Sequence, residues 1–170
     1  MLKRILIIIL SSLITLLFVS CNTTASSVEI GRNGPIEVEF GESRIIGTQT
    51  IYIHYYNDYV IKTIYTEESK LTKNGKYDDL KNYANAIENT FSKDMFKVEG
   101  FEYSSELDDT SFTSKITIDY TKLNENDLSD DVKEFFYGKG LNMIDKDSNV
   151  IYDKMLETYT KFGFVFDKEQ

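Results

Sequence analysis

The stretch Ser111–Thr121, SFTSKITIDYT, decides how the chain is read. Phe112, Ser114, Ile116, Ile118 and Tyr120 alternate with Thr113, Lys115, Thr117, Asp119 and Thr121. Successive side chains of a strand point to opposite faces, so one face here is apolar and covered and the other is wet. Upstream, Val98 to Leu107 reads as its hairpin partner, joined through Leu107-Asp108-Asp109-Thr110. A second hairpin precedes it. Thr50–Tyr56 and Tyr59–Thr66 are rich in β-branched and aromatic residues and flank Asn57-Asp58. Ile51, Ile53 and Tyr55 share one face, and Tyr52, His54 and Tyr56 the other.

Between the hairpins the period changes. Lys73-Asn74-Gly75-Lys76 breaks the β pattern, and Leu80, Ala84, Ile87 and Phe91, widened by Tyr83, then follow helical spacing. This predicts an amphipathic helix from Tyr77 to about Lys93, with Asp78 and Asp79 favouring its dipole. Ile36–Phe40 alternates as a strand after a loop at Gly31–Pro35. Downstream, the acidic segment Asn124–Tyr137 reads as a short helix with Leu128, Val132, Phe135 and Phe136 inward, ended by Gly138 and Gly140. A last helix is expected over Asn149–Phe162, capped by Ser148, with Ile151, Met155, Tyr159 and Phe162 as its stripe. Gly163 is placed for a left-handed C′ residue with Phe164 packing back, and Phe164–Phe166 for a short strand. One-sided strands with few helices predict an α+β fold. The expected form is a two-layer sandwich, a mainly antiparallel sheet with helices packed on one face.

Composition narrows the function classes. The chain has 170 residues, a formal charge of −9, one cysteine, one histidine and no tryptophan. That length fits one domain, and 41% hydrophobic residues suffice for a core. A lone cysteine excludes an internal disulfide and a Cys-rich zinc site. The acidic balance argues against nucleic acid, whose phosphates select Lys and Arg. No Gly-rich phosphate loop, nucleophile elbow or zinc motif is present.

The N-terminus reads as an address. Lys3 and Arg4 precede an apolar run from Ile5 to Phe18. At 1.5 Å per residue such a run spans roughly 21 Å, short of a bilayer core of about 30 Å. It fits an export signal better than a permanent span. Phe18-Val19-Ser20-Cys21 resembles a bacterial lipobox. The resemblance implies cleavage after Ser20 and a diacylglyceryl anchor on Cys21. The expected organisation is a signal peptide over 1–20, a lipidated Cys21 with a flexible tether to residue 35, and a single α+β domain over 36–170. Loss of Lys3 and Arg4 takes the charge from −9 to −11, which repels anionic headgroups and holds the domain off the membrane.

The order of features resembles the YehR-like family of small bacterial lipoproteins. It is carried by the lipobox, the Tyr-rich hairpin Ile53–Thr66, the acidic-capped helix Asp78–Phe91 and Lys97-Val98-Glu99-Gly100. The strand Ile116–Tyr120 and the ending Lys161-Phe162-Gly163-Phe164 complete it. The match spans roughly residues 50–166. The resemblance implies an α+β fold and a surface lipoprotein, and it carries over no catalytic residue.

Candidate chemistry is sparse. His54 suits a Ser–His dyad or a metal site in principle, yet on a Tyr-rich strand it reads more simply as a rim residue. Asp145-Lys146-Asp147-Ser148-Asn149 opens like a calcium loop, but Val150 and Leu156 stand where Gly and Glu are required. Asp127, Asp130, Asp131 and Glu134 could gather cations, although such a cluster is usually a solvated helix face. Tyr52, Tyr56, Tyr59, Tyr65 and Tyr103 on strands offer amphipathic contact area for a ligand or protein. The leading expectation is a non-enzymatic envelope lipoprotein. It is anchored through Cys21 on the extracytoplasmic face of the cell membrane, needs no cofactor or metal, and binds a ligand or protein partner as a monomer. The alternatives are an enzyme or enzyme accessory using acidic residues, and a structural or inhibitory envelope module.

Overall fold

The computed structural model describes residues 26–138 and 143–167. Six strands form one sheet: β1 Ser27–Phe40, β2 Ser43–Tyr56, β3 Tyr59–Leu71, β4 Phe101–Leu107, β5 Ser111–Asp119 and β6 Val165–Phe166. Three α-helices accompany it: α1 Tyr77–Phe91, α2 Asp130–Tyr137 and α3 Tyr152–Lys161. The fold is therefore α+β. The strand order is β4-β5-β3-β2-β1-β6, and every neighbouring pair is antiparallel. β1, β2 and β3 form a meander. α1 then carries the chain past one empty position to β4, and β5 returns to fill the gap.

Both predicted hairpins are present. Tyr56 pairs with Tyr59 around Asn57-Asp58, with Asn57 at φ 53°, a left-handed conformation that asparagine tolerates in tight turns. β2 and β3 run beyond the aromatic stretches. In both, the extensions are polar enough to hide the period-two signal.

The first strand corrects the expected boundaries. Residues 27–35 are not a tether and the domain does not begin at Ile36. β1 pairs with β2 from Ser27 onward, from Ser27↔Tyr55 to Phe40↔Ser43. The Gly-Pro signal that reads as a loop is absorbed by a register shift between Asn33 and Ile36, where Pro35 needs no ladder donor. Gly31 sits in regular strand because Phe166 of β6 lies over it. A Cβ there would come within 2.5 Å of the Phe166 ring. The segment over 1–20 that reads as an export signal, Ser20 and Cys21 lie outside the described residues, as does Gly140. No helix among the described residues is long and apolar enough to cross a membrane.

Two apolar clusters pack on residues that alternation puts on one sheet face. The smaller joins Ile45 and Phe112 to Leu80 and Ala84 of α1. The larger joins Ile51, Ile53, Ile116 and Ile118 to Val132 and Phe136 of α2 and Met155 of α3. Phe91, Phe96, Phe101, Phe135 and Phe136 form a continuous aromatic knot, with ring centroids 5.2–6.4 Å apart, that ties α1, β4 and α2 together.

The last helix is shorter than its sequence pattern. Ser148 does not cap it; Ile151 is the N-cap residue. Asp145 organises a turn instead, accepting from the amides of Asp147 (2.8 Å) and Asn149 (3.0 Å). Ser148 adopts φ 64° there and donates to Glu125. Val150 and Ile151 then form β-bridges with Ile144 and Tyr59 before the helix starts. Gly163 does take the left-handed conformation, φ 92°, and Phe164 is buried against Tyr159.

Candidate functional site

A polar row crosses the covered sheet face between the two apolar clusters. The register aligns Asn33 of β1, Gln49 of β2, Glu67 of β3 and Ser114 of β5. Period two along β3 sends Thr63, Tyr65, Glu67 and Ser69 to the same side, so the strand delivers a carboxylate inward. Asn33 donates to Gln49 at 3.3 Å, and Gln49 donates to Glu67 at 3.2 Å.

Glu67 is the hub. Its Oε2 accepts from Gln49 Nε2 and from the Tyr65 hydroxyl at 3.1 Å. Its Oε1 accepts from Ser69 Oγ at 3.1 Å and from the Tyr83 hydroxyl at 2.7 Å. No ion pair reaches it among the described residues. Placing a half-buried carboxylate here costs desolvation, and four neutral donors offset it. The phenols respond in turn. Burial first, then the Glu67 charge, pushes Tyr65 well above its ordinary value. Burial and the hydrogen bond to Glu67 push Tyr83 up to about 12. These hydroxyls are donors at neutral pH.

Beside this hub lies a cavity of about 350 Å³. Its walls are mainly apolar: Ile87 and Phe91 of α1, Ile116 and Ile118 of β5, Phe135 and Phe136 of α2, Met143, and Met155 of α3. Polar groups are few: Glu67, Thr63, Ser114 and the hydroxyls of Tyr65, Tyr120 and Tyr159. Burial pushes Tyr159 up to about 12 and raises Tyr120 as well, so neither is a base. Phe135 is the one exposed residue of the lining among the described residues and marks the solvent side. The volume and the ratio of apolar wall to polar points match sites that hold small molecules.

The five strand tyrosines divide. Tyr52, Tyr56 and Tyr59 are exposed on the face opposite the cavity. Asp145 accepts from the Tyr59 hydroxyl and raises its pKa. Tyr65 is turned to the covered face, into the cavity lining. Tyr103 is half-buried and stacks on Phe91 with centroids 5.1 Å apart. Three of the five, Tyr52, Tyr56 and Tyr59, therefore share the open face, and Tyr65 and Tyr103 do not.

His54 sits on that opposite face, across from Lys62. Its Nε2 is buried without a hydrogen-bond partner among the described residues, so no serine is paired with it. Burial and the Lys62 charge lower its pKa. Asp130, Asp131 and Glu134 are exposed on α2. No group of three or more His, Cys, Asp or Glu placed to hold a metal occurs among the described residues. Glu67 itself escapes a sequence reading that ends the strand at Thr66. The period set by Thr63 and Tyr65, carried two residues further, is the signal that finds it.

No protein-family model matches the chain, and no curated protein matches it. The fold is similar to the NMR structure of a protein from Streptococcus pneumoniae TIGR4. The TM-score is 0.53 at 12% identity, covering 87% of this chain and 88% of that one. At that identity the likeness concerns the fold alone.

Proposed function

We propose that this chain is a non-enzymatic, bacterial cell-envelope lipoprotein whose domain binds a small, largely apolar molecule in the cavity beside Glu67. The observation that carries the binding role is the cavity itself, apolar-walled and equipped at one edge with a fully hydrogen-bonded carboxylate. The anchoring role rests on Lys3, Arg4, the apolar run and Ser20-Cys21, in line with the resemblance to YehR-like lipoproteins. In this reading the sheet and helices form a two-layer sandwich with the helices on one face. Support comes from Leu80, Val132 and Met155 of three different helices, which all pack on residues of that face. The domain is a monomer on the extracytoplasmic side, held there by a diacylglyceryl group on Cys21.

Binding is tested by adding 2-naphthol, a neutral aromatic probe, to the full chain in sugar-detergent micelles and following methyl NMR signals. Saturable shifts at Ile116, Ile118 and Met155, lost in Ser114→Leu, support the site. Absence of shifts at these methyls in the wild type refutes it. Anchoring is tested by Cys21→Ala, which should abolish acyl labelling and detergent-phase partitioning. Unchanged labelling refutes the lipoprotein assignment.

A further inference from the structure

We propose that the cavity selects an organic cation without N–H groups, a quaternary ammonium carried on an apolar body. The inference rests on the cavity being a ligand site and adds the ligand's chemical class. Its first support is charge. Among the described residues, Glu67 is the only carboxylate of the lining, and no Lys, Arg or His lines it. Inside a largely apolar wall its field is weakly screened, so a cation entering the cavity meets a complementary potential.

The second support is the saturation of Glu67. A carboxylate offers about four lone-pair positions. Here Gln49, Tyr65, Ser69 and Tyr83 supply four donors. An ammonium bearing N–H groups must give up hydrogen bonds to water and finds no free acceptor on this carboxylate. A quaternary ammonium has no such bonds to lose and needs only the field. The third support is the wall. Phe91, Tyr65 and Tyr159 line the same space, and aromatic faces attract such cations by about 0.5–2 kcal/mol. Neutral donors that hold the carboxylate in place, together with aromatic walls, make a cage suited to a soft cation on an apolar stem.

Two isosteric probes separate this inference from the broader one: phenyltrimethylammonium and neutral tert-butylbenzene. Both are titrated into the full chain in a sugar detergent and read at the Ile116, Ile118 and Met155 methyls, with each affinity referred to the probe's free aqueous concentration after its partition into protein-free micelles has been measured. The cation is expected to bind about tenfold tighter than the hydrocarbon. Glu67→Gln should collapse that ratio toward one. Equal or tighter binding of tert-butylbenzene overturns the cation preference and leaves the apolar-ligand reading standing. Binding of neither probe overturns both. If Glu67→Gln does not fold, the wild-type ratio decides alone.

Discussion

Ser43 and Asp79 are separated by 36 positions in the chain, yet their bond fixes where α1 meets the sheet. Ser43 is buried at the start of β2. Its hydroxyl donates to Asp79 at 2.7 Å and accepts from the Lys76 amide at 2.7 Å. Asp79 also accepts from the Glu42 amide, and a Cβ on Gly41 would lie 2.2 Å from its carboxylate. The acidic first turn thus does more than complement a helix dipole; it docks the helix on the β1–β2 turn. Ser43→Ala removes both bonds and should cost about 1–2 kcal/mol in urea unfolding. A change below the resolution of that measurement would contradict the docking role.

Asp108 plays a local part with a pH signature. It accepts from the amides of Thr110 and Ser111, each at 2.7 Å, and from both of their hydroxyls. These donors hold its carboxyl at about 2, below the usual carboxylate range. The unfolded chain therefore binds the proton first as pH falls. The contribution to stability is present above about pH 4 and is lost between there and about pH 2. Asp108→Asn should lower Tm at neutral pH and flatten the acid limb across that window. A parallel acid limb in the variant would show that another group sets it.

At the scale of elements, legibility followed the contrast between neighbouring residues. β5 alternates cleanly, and α1 carries four apolar residues at helical spacing, so both were readable. β1 was half hidden because Gly31 to Pro35 has the composition of a loop. Its glycine serves a tertiary purpose, the close approach of Phe166 from the far end of the chain, which no local pattern reveals. The start of α3 departs from its sequence pattern because Asp145, not Ser148, organises the approach, through bonds to residues 147 and 149. Glu67 was hidden in TEESK, where neighbouring polar residues mask the period. The pairing of β1 gives a direct prediction. Deleting residues 1–25 should leave the cooperative thermal transition intact, whereas deletion through Pro35 strips the first half of β1 from β2 and β6 and should abolish it. Equal transitions in the two truncations would restore residues 27–35 to a tether.

Over the whole molecule, the sheet uses its two faces differently. Residues of one face enter both apolar clusters, interrupted by a polar row that leads to Glu67 and the cavity. The other exposes Tyr52, Tyr56 and Tyr59, with His54 across from Lys62. The proposed ligand site is placed in the cavity and not on the open tyrosine face, because the cavity combines volume with a carboxylate that no ion pair reaches among the described residues. The decisive measurement is a set of intermolecular NOEs from bound 2-naphthol in the full chain. Contacts from its ring protons to the methyls of Ile116, Ile118, Met143 and Met155 are predicted. Contacts to the rings of Tyr52 and Tyr56 in their place would contradict the account.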